Sequence, residues 1–262
     1  MSSTSRLTSN ETSRRFLITG AGSGIGRALA LRLQARGHRL ALIGRRVEAL
    51  EQTAAAFRST EPLILPADVT QPSDLATAAR TIDQRWGALD GIVNNAGLSH
   101  YASIEQIALV DWERVIATNL TAPFLVLQTM LPLLRRGEHR SVVNVGSTLG
   151  AVGLRGASAY CAAKAGLINW TRAVALDLAP EQIRVNVVLP GVVDTPMLDA
   201  ERGEPGTAAE RKQRLAALHP LGRLASADDV AAAIAMMLSP DAAFITGSTL
   251  TVDGGQTAGF AE

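Results

Sequence analysis

The feature that most constrains this chain is the run Thr19-Gly20-Ala21-Gly22-Ser23-Gly24-Ile25-Gly26, where every second residue is glycine directly behind the apolar stretch 16–19. So much bare backbone marks a place that something must approach closely. The spelling fits neither common phosphate loop. No glycine starts a G-x-G-x-x-G, because Ile25 and Arg27 stand where the third glycine is required, and no Gly-Lys-Ser/Thr follows. With a strand before it and a helix after it, the loop still makes an anion site. Gly20 permits a tight exit from the strand, Gly24 lets the backbone approach a pyrophosphate, and Gly26 lets the new helix pack closely on the sheet. The anion faces free N–H groups around Ser23 and Ile25, at the positive end of that helix.

The rest of the chain alternates short apolar runs with amphipathic ones. Stretches 16–19, 40–44, 63–67, 90–97, 141–147, 184–190 and 249–254 read as strands, rich in β-branched residues and apolar on both faces as buried parallel strands are. Segments 25–36, 72–86, 111–135, 158–179 and 226–238 carry helical spacing. Seven strands separated by helices predict right-handed crossovers and an α/β class, a three-layer Rossmann fold with a doubly wound seven-stranded parallel sheet. Its 262 residues hold no repeat and no second core, so 14–262 reads as one domain behind a flexible polar tail at 1–13. The polar interruption 199–213 contains two glycines and a proline, and 195–218 is expected to be a flap beside the substrate.

Charge and cysteine narrow the partners. A formal net charge of +1 gives no electrostatic case for nucleic acid or an anionic membrane surface. No run approaching 18 uncharged apolar residues is read, so no membrane span is expected. Cys161 is the only cysteine, which excludes an internal disulfide and a cysteine-rich metal site and suits a reducing cytoplasm. His38, His100, His139 and His219 lack metal-ligand spacing and read as surface or loop residues, so no metal is expected. His100 and Tyr101 directly follow 94–97 and are candidates for the substrate opening.

Thr19-Gly20-x-x-x-Gly24-x-Gly26 resembles the nucleotide loop of the short-chain dehydrogenases/reductases, in their so-called classical branch. The likeness continues in the family's order through Asp68-Val69-Thr70, Asn94-Asn95-Ala96-Gly97, Thr118-Asn119-Leu120, the 144–147 stretch, Tyr160-x-x-x-Lys164, Pro190-Gly191 and the 247–255 tail. It implies that Asp68 and Val69 border an adenine, and that Asn94, Asn95, Ala96 and Gly97 follow the cofactor's ribose and steady the central strand. It also places Pro190, Gly191, Val193 and Thr195 along the nicotinamide, with Thr195 on its carboxamide. Tetramers built through 111–135 and 158–179 are implied as well.

The second strand ends at Gly44, where an NAD-binding fold usually carries an acid for the ribose 2′-hydroxyl, and Arg45 and Arg46 follow. Arginine pairs with a 2′-phosphate where a carboxylate would repel it, so NADP(H) is favoured and NAD(H) stays open. Tyr160 and Lys164 are four apart in a helical segment and share a face. A free tyrosine is a poor base at neutral pH, but an adjacent ammonium and an oxidised nicotinamide favour its anion. Ser147, at the carboxyl edge of its strand, is able to hold a substrate carbonyl, or alternatively to cap a turn. By resemblance Ser147 positions substrate, Tyr160 is the acid/base, Lys164 tunes the tyrosine and binds ribose, and Asn119 supports a water-linked proton path.

The expectation is therefore an NADP(H)-dependent oxidoreductase interconverting a secondary alcohol and a ketone. Three rivals stand beside it: an NAD-preferring dehydrogenase of a sugar, polyol or hydroxyacyl substrate, an epimerase of the extended branch, and a non-catalytic dinucleotide sensor. The extended branch needs an added substrate lobe that the sequence lacks, and a sensor would typically lose Tyr160 or Lys164. The pocket is expected to be lined from 149–152, 192–193 and the 195–218 flap.

Overall fold

A computed structural model describes residues 13–200 and 207–259, with the side chains of Asp199 and Ala200 left out. Most of the 1–13 tail and the middle of the 195–218 flap lie outside the described residues. The strands are β1 (Arg15–Thr19), β2 (Arg39–Gly44), β3 (Leu63–Pro66), β4 (Gly91–Asn94), β5 (Ser141–Val145), β6 (Arg184–Pro190), β7 (Val193–Asp194), β8 (Ala225–Ser226) and β9 (Thr249–Val252). Seven of them form one parallel sheet in the order β3-β2-β1-β4-β5-β6-β9, the architecture expected from sequence. The two-residue pair β7 and β8 forms a separate small sheet that was not foreseen.

Helices α1 (Gly24–Gln34), α2 (Val47–Ala54) and α9 (Ala227–Leu238) carry apolar faces into one core with Phe16, Ile18, Leu40 and Leu42. Helices α3 (Pro72–Trp86), α5 (Ala122–Arg135) and α6 (Ser158–Leu178) share the other core with Leu17, Ala41, Ile43, Ile92 and Val142. Alternate residues of each strand thus feed opposite layers, which is why these runs are apolar on both faces.

The expected helix over 111–135 is two helices, α4 (Leu109–Ile116) and α5, joined by a π-helical turn at Ala117–Thr121. Pro123 has no N–H to donate to the Asn119 carbonyl, so the ladder widens there. Against expectation, Leu109–Arg135 is long and apolar enough to cross a membrane by length and composition. Here its Val126, Leu127, Met130, Leu133 and Leu134 are buried in the core. Two short helices, α7 (Pro196–Ala200) and α8 (Ala208–Ala216), lie in the flap segment.

Strand order reverses between β1 and β4. In an open parallel sheet the ligand crevice opens beyond the carboxyl ends of the strands at that reversal. The glycine loop leaves β1 and Asn95-Ala96-Gly97 leaves β4, so the fold sets both loops on one rim.

Candidate active site

A cleft of about 820 Å³ opens at that rim. Gly20, Ser23, Gly24, Ile25, Arg45, Arg46, Asp68, Val69, Asn95, Ala96 and Gly97 line it, with Asn119, Ser147, Tyr160, Lys164, Pro190, Gly191, Val193 and Thr195. Of the site residues expected from sequence, Gly26 and Asn94 stand behind the wall rather than in it. A Cβ on Gly26 would lie 2.4 Å from the Gly20 carbonyl oxygen and 2.5 Å from Asn95 Nδ2, so only glycine lets α1 start this close to β1.

The glycine loop is held by its neighbours. Gly20 has φ +65° and Gly24 φ +51°, left-handed conformations that glycine adopts without strain. Asn95 Nδ2 donates to the carbonyls of Thr19 (2.9 Å) and Gly20 (3.2 Å), while the backbone N–H groups of Asn95 and Ala96 donate to Thr19 Oγ1 at 3.0 Å. A Cβ on Gly24 would meet Thr195 Cγ2 at 3.3 Å, so the loop faces the start of the flap closely. The bare cradle, the open helix end and the cleft's size fit a dinucleotide.

At the far end of the β2 rim, Arg45 Nη1 lies 3.9 Å from Asp68 Oδ2 and its side chain is three-quarters exposed. Burial alone would raise the Asp68 carboxyl. Two hydrogen bonds from Thr70 and the Arg45 charge outweigh it and hold the group below the usual carboxylate range.

The candidate catalytic groups come from three elements. Ser147 ends the β5 edge and caps a 3₁₀ turn at Thr148–Gly150, its Oγ accepting from Leu149 N–H at 3.2 Å. The two sequence readings are therefore compatible, since a hydroxyl that accepts from the turn keeps its own proton to donate into the cleft. Tyr160 and Lys164 share the cleft face of α6, with Lys164 Nζ 5.6 Å from the centre of the tyrosine ring. Nζ donates to the Val145 carbonyl at 2.8 Å, and burial lowers its pKa to about 8. A Cβ on Gly150 would lie 2.8 Å from the Lys164 carbonyl carbon, so glycine lets the serine turn rest on α6.

Asn119 sits in the π turn, fully buried. Its Nδ2 donates to the carbonyls of Leu98 (2.8 Å) and Val115 (3.0 Å), which leaves Oδ1 without a partner among the described residues. A Cβ on Gly97 would stand 2.8 Å from that oxygen and 3.8 Å from Lys164 Nζ, so both groups face the same glycine.

Some expectations fail. Asn94 does not line the cleft, although it does steady the central strand: its Nδ2 donates to Asn144 Oδ1 (2.9 Å), and Asn144 Nδ2 donates to Thr171 Oγ1 (2.8 Å) in a buried relay. His38 and His219 are buried rather than superficial. His38 Nδ1 accepts from Arg14 N–H, while His219 Nε2 accepts from Val192 N–H, tying the base of the flap to the cleft wall. Tyr101 reaches the opening, but His100 faces Asp111 instead, 3.7 Å away. Within 149–152 only Leu149 lines the cleft; Leu154 and Arg155 take the expected place of the others. Thr118, Thr148 and Gln256 also line it without being expected from sequence, although Thr118 stands in the 118–120 motif.

Comparison with known proteins agrees with this geometry. Residues 20–257 match the family model described as enoyl-(acyl carrier protein) reductase. The chain is 37% identical over 244 residues to 2-(S)-hydroxypropyl-CoM dehydrogenase 3 of Xanthobacter autotrophicus, covering 92% of this chain and 95% of that one. The crystal structure of levodione reductase superposes with a TM-score of 0.90 at 33% identity, covering 94% of this chain and 98% of that one. A short-chain type dehydrogenase/reductase from Mycobacterium marinum gives a TM-score of 0.86 at 29% identity, covering 94% and 96%.

Proposed function

The chain belongs to the short-chain dehydrogenase/reductase family and is an oxidoreductase of secondary alcohols and ketones that takes a nicotinamide dinucleotide; we propose that it prefers NADP(H) and works through Ser147, Tyr160, Lys164 and Asn119. The observation that carries this reading is the meeting of Ser147, Tyr160 and Lys164 in the same cleft as the glycine loop. A bound nicotinamide supplies the hydride in reduction and accepts it in oxidation. Ser147 Oγ holds the substrate oxygen in place. The Tyr160 hydroxyl gives that oxygen its proton in reduction and takes it back in oxidation. The Lys164 ammonium favours the tyrosinate and would bind the ribose of the nicotinamide nucleotide. Asn119 Oδ1 accepts from the water that refills the tyrosine's proton.

Arg45 supports the NADP(H) preference because its guanidinium is largely exposed and its ion pair with Asp68 is long, at 3.9 Å, so a 2′-phosphate can compete for it. Gly44 at the strand end offers no acid to oppose it. The lone Cys161 supports a cytoplasmic setting. The exposed Leu109, Val110 and Phe124 on α4 and α5 support a homotetramer built there.

A panel of ketones assayed with NADPH and with NADH tests the reading. Oxidation of NADPH faster than NADH by at least one ketone is the expected outcome. Tight dinucleotide binding with no turnover of any ketone or alcohol would leave the sensor reading in its place.

A further inference from the structure

The substrate end of the cleft carries an arginine that the proposed reaction does not use. Arg155 lies in the 151–157 loop, between Ser147 and Tyr160 in the chain, and lines the cleft. The loop is pinned beside Tyr101: Ala102 N–H donates to the Gly156 carbonyl at 2.8 Å and Ala157 N–H donates to the Leu154 carbonyl at 3.1 Å. Arg155 therefore lines the cleft from a hydrogen-bonded stretch of backbone.

The other cations of the cleft have identified contacts or places. Arg45 and Arg46 stand at the adenine end with Asp68, the only carboxylate among the described lining residues. Lys164 donates to the Val145 carbonyl and Arg211 Nη2 to the Leu198 carbonyl at 2.7 Å. Arg155 has neither an ion pair nor a hydrogen bond among the described residues. The wall it shares is otherwise largely apolar, with Leu149, Leu154, Met197, Leu215 and Leu218. An arginine held without a carboxylate at the edge of an apolar pocket is a receptor for an oxyanion, which it grips through two parallel N–H donors.

We propose that the substrate bears a carboxylate or sulfonate remote from its reacting carbon, and that Arg155 binds that oxyanion and so selects for it. This rests on the reading of Ser147 and Tyr160 as the reacting end. The phosphates of the dinucleotide are assigned to the glycine loop on the opposite rim, so the anion in question belongs to the substrate. Arg155 is exposed, and the selection it exerts is correspondingly modest, about tenfold in affinity over a neutral isostere.

Calorimetry on the full chain saturated with NADP⁺ tests this without requiring hydride transfer. The probes are cyclohexanecarboxylate, cyclohexanesulfonate and the neutral cyclohexanecarboxamide. At least one anion is expected to bind about tenfold more tightly than the amide. Arg155→Ala brings that ratio to about one, and Arg155→Lys retains part of it, because a point charge attracts the anion without the paired donors. Preference for the carboxylate alone identifies a hydroxy or oxo acid, preference for the sulfonate alone a sulfonate, and preference for both their shared oxyanion chemistry. Three results would overturn the proposal: anions no tighter than the amide, a preference that survives Arg155→Ala, or NADP⁺ affinity falling in step with anion affinity. Loss of the tyrosine mechanism would show in turnover and leave these affinities readable, so the two failures are separable.

Discussion

The two ends of one parallel sheet are finished in opposite ways. At the amino ends of its strands, Asp90 is buried and fully engaged. Its carboxylate takes Nε and Nη2 of Arg15 at 2.9 and 2.8 Å, and the backbone N–H groups of Arg15 and Glu138 at 2.7 Å. Burial would raise this carboxyl, but those donors and the Arg15 charge hold it below the ordinary range. At the carboxyl ends, Lys164 is buried with a carbonyl as its partner and no carboxylate, and Asn119 Oδ1 has no partner among the described residues. The first arrangement stabilises the fold. The second leaves a buried ammonium on a carbonyl alone and a buried amide oxygen unmatched, at a cost in stability.

The contrast is sharpest in what happens when each charge is removed. Asp90→Ala strands two backbone donors and the Arg15 guanidinium, and is expected to cost about 3 kcal/mol of unfolding free energy. Denaturant titration measures it, and dinucleotide affinity should not move. An equal loss of dinucleotide affinity would mean the two ends are not separate in function.

Lys164→Met is expected to act in the other direction in the dinucleotide-free protein, raising stability at pH 7 by about 2 kcal/mol. The sign follows from the lowered pKa. Between about 8 and the ordinary 10.5, the unfolded chain binds the lysine proton more avidly than the folded one. Parent stability therefore rises with pH across that window, and the variant's advantage shrinks above pH 8. Melts at pH 7, 9 and 10.5 decide it; a variant less stable than the parent at pH 7 would show that the Val145 contact outweighs burial.

Much of this was legible in the chain. All seven strands of the main sheet were placed, because β-branched runs buried on both faces leave an uninterrupted apolar signal. The glycine loop was legible for a related reason: at Gly20 and Gly26 a side chain has no room, so the requirement is written in residue type. What escaped depends on tertiary partners. His38 and His219 are single polar residues whose burial rests on Arg14 and Val192 backbone donors, and no periodic pattern announces that. Asn94 turns inward to Asn144, which is itself anchored on Thr171. The two-residue strands β7 and β8 are too short to carry a period. The π turn left one sign, Pro123, within an apolar run that otherwise reads as unbroken helix.

The smallest expected effect lies at the adenine end. Arg45→Ala should reduce the preference for NADP(H) over NAD(H) by about tenfold in kcat/KM, chiefly through KM for the phosphorylated dinucleotide. An unchanged ratio would assign the 2′-end to Arg46 or to no cation at all.

The central claim is that the backbone cradle binds the dinucleotide while Tyr160 moves the proton, so the two functions are separable at one atom. Tyr160→Phe, which removes only the phenolic oxygen, tests it when dinucleotide Kd and kcat are measured on the same preparation. The account predicts an affinity within about twofold of the parent and turnover lower by about 10²–10⁴. Turnover near the parent's rate would contradict it.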